Sequence, residues 1–154
     1  MKSKLLALTF LVVITSAASA RENWQGEVMV RALAGASCAA NNLSVGDHYL
    51  SNYLPQGVSD NGPNSYLSFH SRRSAFAIRF TSTVPNSVFA ATRITGRGNF
   101  ASSNGQLESF TRVPATVTAT TPTLVINAQI SNWEGPPGCI ATIRGAYVLR
   151  VDAP

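Results

Sequence analysis

His48 and His70 are the only histidines, so they are the only side chains that ordinarily titrate close to neutral pH. Either could act as a general base or a metal ligand. A zinc site needs three or four ligands at workable spacing. The chain has no H-x-x-x-H and no H-E-x-x-H, and Asp47 beside His48 would point to the opposite face of an extended strand. No metal and no cofactor is expected. Serines are abundant, but no G-x-S-x-G elbow presents one as a nucleophile. The seven acids stand at 22, 27, 47, 60, 108, 134 and 152. Glu27 and Glu108 are a conceivable pair for glycoside hydrolysis, which needs two carboxyls across a cleft. The plainer reading makes them solvated strand residues.

Binding chemistry is better represented. Arg72 and Arg73, with Arg79 following, form the densest positive run, with His70 beside it and Tyr66 and Phe69 just before. Guanidinium forks recognise carboxylate and phosphate bidentately. The run suits an acidic protein, a glycan or a small anion, and the plainer reading is a hairpin turn kept soluble by two arginines. A second candidate runs from Asp47 to Pro55 and carries His48, Tyr49 and Tyr53. Tyrosines on an irregular loop offer contact area at low entropic cost. The competing reading packs Tyr49 and Leu50 against one end of the fold. Trp24 and Trp133 read as plugs for one barrel end. Gly96-Arg97-Gly98-Asn99 lacks the lysine and following helix of a phosphate loop and reads as a turn.

These groups must be held by a scaffold, and the first 20 residues are not part of it. Lys2 and Lys4 precede an uncharged apolar run from Leu5 to Ile14, and Ala18-Ser19-Ala20 follows. That is the pattern of a secretory signal peptide, with cleavage expected after Ala20. The apolar run is too short to span a bilayer. The remaining single domain, 21–154, has no transmembrane segment and carries ten arginines, no lysine and seven acids. A positive excess this small, without a basic stripe, argues against nucleic acid as a partner. Export to the periplasm or the extracellular space puts Cys38 and Cys139, the only cysteines, where they pair.

Alternation of period two marks the strands. It is clearest over Ala75 to Thr81, Thr123 to Ser131 and Ile140 to Val151. Weaker candidates are Trp24 to Ala34, with Val28, Val30 and Ala32 on one face, Ser65 to His70, Val88 to Thr95, Leu107 to Arg112 and Ala115 to Thr120. Gly35 to Asn64 reads as a long irregular region with a weak strand at His48 to Leu54. Val113-Pro114 marks an edge, bulge or strand break. Helix signals are almost absent. The expectation is all-β: a small antiparallel barrel, or alternatively a sandwich, of seven to nine strands. A disulfide from the end of the first strand to the start of the last makes those strands near neighbours.

A rigid sheet presenting loops suits a non-enzymatic binding or interaction module. Two alternatives stand beside it. One is a small secreted hydrolase whose site is assembled from separate loops. The other is a barrel holding a small apolar ligand.

Overall fold

The computed structural model describes residues 21–55, 65–72, 74–80, 87–89, 93–97, 106–134 and 137–152. The expected leader and Arg73 lie outside them. The described chain is antiparallel sheet with one short helix. Its elements are β1 (Arg21–Ala34), α1 (Ala36–Ala40), β2 (His48–Leu54), β3 (Ser65–His70), β4 (Ala75–Phe80), β5 (Ser87–Phe89), β6 (Arg93–Arg97), β7 (Gln106–Val113), β8 (Thr123–Ser131) and β9 (Ile140–Asp152).

The nine strands form one sheet in the order β5-β7-β8-β9-β1-β2-β3-β4-β6. First and last strands pair along almost their whole length, from Arg21 opposite Asp152 to Ala34 opposite Ile140. Cys38 and Cys139 are bonded just beyond that end, with their Cα atoms 4.9 Å apart. The neighbouring terminal strands follow the sequence expectation. The closure inferred from them does not, because β1 and β9 sit in the middle of the sheet. Its outer strands are β5 and β6, and no ladder joins them among the described residues. The barrel is open rather than closed.

The sheet nevertheless curls strongly. Phe110 on β7 and Phe80 on β4 have five strands between them in the order, yet their ring centres are 5.1 Å apart. Tyr53 on β2 meets Phe110 at 6.0 Å. The open edges are also tied by the chain itself. Phe89 and Arg93 are four peptide steps apart, which limits their separation to about 15 Å.

Alternation explains what lies inside. Val28, Tyr49, Leu67, Phe69, Phe76, Ile78, Ile126 and Ile143 are all buried. At one level Trp133 packs edge-on against Phe76 (4.8 Å), Phe69 (5.0 Å) and Tyr49 (5.2 Å). At the other level Tyr53, Phe80, Phe110 and Tyr147 cluster.

Several elements depart from expectation. Arg31 sits at a β-bulge, where the register shifts between Val30 and Ala32. A bulge inserts one residue and reverses the facing of those after it. Ala32 is therefore exposed, not inward as strict alternation from Val28 had it. Ala115 to Thr120 is turn and irregular chain, not strand, and β7 ends at Val113 before Pro114. Gly96 and Arg97 belong to β6 instead of a turn. The two tryptophans do not share an end. Trp24 pairs near the free end of β1, with its indole N–H donating to the Thr121 carbonyl at 2.9 Å, while Trp133 sits beside Cys139.

Candidate functional site

The four neighbouring strands β9, β1, β2 and β3 present one continuous outer face. Register fixes which side chains share it. One row runs Ala146, Glu27, Leu50, His70, and the next begins Arg144, Met29, His48. Arg72 lies two residues past His70, in the β3–β4 turn, where the Ser71 N–H donates to the Ser74 carbonyl at 2.8 Å. Arg31 joins from β1 because the bulge leaves it without a strict partner.

Glu27 and His48 meet diagonally across β1 and β2, with Nδ1 and Oε1 2.6 Å apart. Both are more than half exposed, so the pair contributes at most about 1 kcal/mol to stability. It acts instead as a divider between two shallow grooves. One, of about 360 Å³, is lined by Glu27, His48, Tyr49, Leu50, His70, Ser71 and Arg72. The other, of about 490 Å³, is lined by Glu27, Met29, Arg31, His48, Arg144 and Ala146. Both share His48 and Glu27, so they form one depression with two lobes. Its floor is aliphatic and its ends are cationic. Neither Arg31 nor Arg144 has a carboxylate within ion-pair distance among the described residues.

A carboxylate holds the wall behind the first lobe. Glu134 Oε1 accepts the Tyr49 hydroxyl and the Ser74 hydroxyl, each at 2.6 Å. Ser74 is further bound to Ser71 through its N–H and hydroxyl. Glu134 takes a left-handed backbone, φ 54°, in the turn that carries Trp133. Burial pushes the Tyr49 hydroxyl well above its usual range, and the adjacent carboxylate pushes it further. Tyr49 therefore stays a neutral donor.

No protein-family model, no curated protein and no solved structure matches the chain. The site has to be read from its own geometry.

The geometry sorts the sequence candidates. His48, His70 and Arg72 are brought to one groove. Arg79 is not with them, because it lies at the far end of β4 opposite Tyr66. Arg73 falls outside the described residues. Tyr49 and Tyr53 are not loop-borne contacts. β2 is a regular strand, and both rings point into the core with exposures of 1% and 0%. Leu50 is the reverse case, 70% exposed on the outer face and not packed against an end. Glu27 and Glu108 have β8 and β9 between their strands. Among the described residues no three His, Cys, Asp or Glu side chains gather as for a metal ion, and neither histidine is hydrogen-bonded to a serine.

Two site features and one buried arginine escaped sequence reading. Glu27 was singled out only as half of a catalytic pair. Arg31 and Arg144 are exposed strand residues with no motif around them; pairing across strands makes them a site. Arg112 was not singled out at all. It is a buried inward arginine, 6% exposed, that donates to the Tyr53 hydroxyl at 2.6 Å and to the Ala115 carbonyl at 3.1 Å. Its place on the same face as Phe110 was the available signal.

Proposed function

We propose that this protein is an exported, non-enzymatic binding module that holds an anionic group of a partner in the two-lobed groove. One observation carries the reading: both lobes share the Glu27–His48 pair, and Arg31, Arg144, Arg72 and His70 stand around it. Cationic groups converging on an open concavity bind carboxylate, phosphate or sulfate, and guanidinium does so with directed forks. Export is supported by the buried Cys38–Cys139 bond, which persists in an oxidising compartment. Among the described residues no helix is long and apolar enough to cross a membrane.

Amide chemical-shift titration of residues 21–154 with citrate, inorganic phosphate and a uronic-acid disaccharide tests the reading. Signals from 27–31, 48–50, 70–72 and 144–146 should move together, and the Arg144→Glu variant should weaken binding about tenfold or more. No movement with any of the three, or equal affinity in the variant, overturns it.

A further inference from the structure

Resting on that reading, we infer that the groove's partner is an extended acidic segment of another protein, with two acidic side chains four residues apart flanking an apolar one. The cationic ends set the spacing. Arg144 is on β9 and Arg72 follows β3, so three inter-strand gaps separate them. At about 4.8 Å per gap the span is about 14 Å. In an extended chain, side chains at i, i+2 and i+4 share a face, and the outer two are also about 14 Å apart. The match places one acid at the Arg144–Arg31 lobe, the other at the Arg72–His70 lobe, and the middle side chain over the divider.

The floor selects the middle residue. Met29 and Leu50 lie between the cationic ends, and Leu50 is 70% exposed on a sheet face. With Ala146 they make an apolar strip rimmed by charge, a surface that an apolar side chain can cover. A methionine adapts to varied apolar shapes. Sugar rings favour aromatic platforms, and the two rings nearest this floor on β2, Tyr49 and Tyr53, are turned inward. The floor therefore favours a peptide side chain over an acidic glycan. Glu27 sharpens the choice. Its carboxylate between the cationic lobes repels an unbroken polyanion and accepts a hydrogen bond from a peptide N–H.

The test uses the 21–154 protein and labelled nine-residue peptides, read by fluorescence anisotropy. The reference core is Glu-Ser-Leu-Ser-Glu. One comparator brings the two acids together at the same composition, and another replaces the central leucine by serine. Each should bind about tenfold more weakly than the reference. Leu50→Ser on the protein, a surface change that leaves the core untouched, should remove the preference for leucine, so that the reference peptide and its serine comparator bind alike. Equal binding of all three peptides, or tighter binding of a uronic-acid oligomer or polyglutamate, overturns the inference yet leaves anion recognition standing. Loss of citrate binding by Arg144→Glu with no peptide binding to either protein also overturns it.

Discussion

At the scale of single residues, the fold is most exposed to change where polar groups are buried. Arg112 reaches into the core between Tyr53 and the Ala115 carbonyl. Replacing it by leucine takes from the buried Tyr53 hydroxyl its charged donor, and losing one partner of a buried hydrogen bond costs about 1–3 kcal/mol. Tyr53→Phe removes one acceptor from the guanidinium, which keeps the Ala115 carbonyl. The double variant Arg112→Leu/Tyr53→Phe should lose less stability than the two single losses added, and urea unfolding of the four proteins measures that coupling. Tyr53 and Tyr147 make a second prediction. Burial raises both hydroxyls above their usual range, against the opposing pull of Arg112 on one and of the Ser51 hydrogen bond on the other. An unfolded tyrosine ionises near pH 10, while these retain their protons to higher pH when folded. Above about pH 10 the unfolded state thus binds fewer protons, and stability falls by about 1.4 kcal/mol per pH unit for each group. Unfolding midpoints should be insensitive to these tyrosines below about pH 10 and drop beyond it, with the phenolate absorbance of these two appearing only on unfolding.

At the scale of elements, legibility followed how cleanly a strand separates its two faces. In β8 the residues Leu124, Ile126, Ala128 and Ile130 are buried, while Asn127 and Gln129 are exposed. The period was plain there, as it was in β4 and β9. In β2, Tyr49 and Tyr53 go inward while Leu50 and Leu54 lie on the other face, so apolar residues mark both sides and the strand signal is weak. The five-residue α1 is shorter than any periodic signal could show. The bulge at Arg31 moved Ala32 to the outer face, a shift that composition does not announce. The candidate site was legible only residue by residue. His48, His70 and Arg72 were singled out as polar residues with binding chemistry, but Glu27, Arg31 and Arg144 join them through register between strands distant in sequence. A glycine shows how tightly that register is held. A Cβ on Gly26 would come within 1.9 Å of the Ala146 carbonyl oxygen, so β1 could not lie against β9 unchanged. Gly26→Ala should cost about 3 kcal/mol in urea unfolding and should perturb the Glu27 and Ala146 amide signals first.

At the scale of the whole molecule, the pairing of the first and last strands governs how the protein bears load. The two ends of the ladder differ: Arg21 and Asp152 face each other at the open one, and the Cys38–Cys139 bond closes the other. Tension applied through the two chain ends peels the ladder one rung at a time, the mode in which a sheet resists least. The peeling stops at the sulfur bridge, and the 101-residue span it closes is sheltered from the pull. In single-molecule stretching the oxidised protein should yield at low force and lengthen by no more than roughly 110 Å before stiffening. After reduction the same pull should run on through the sheltered strands to the full contour length. The sulfur bridge thus divides the molecule into a short stretch that yields and a larger sheet that does not feel the force.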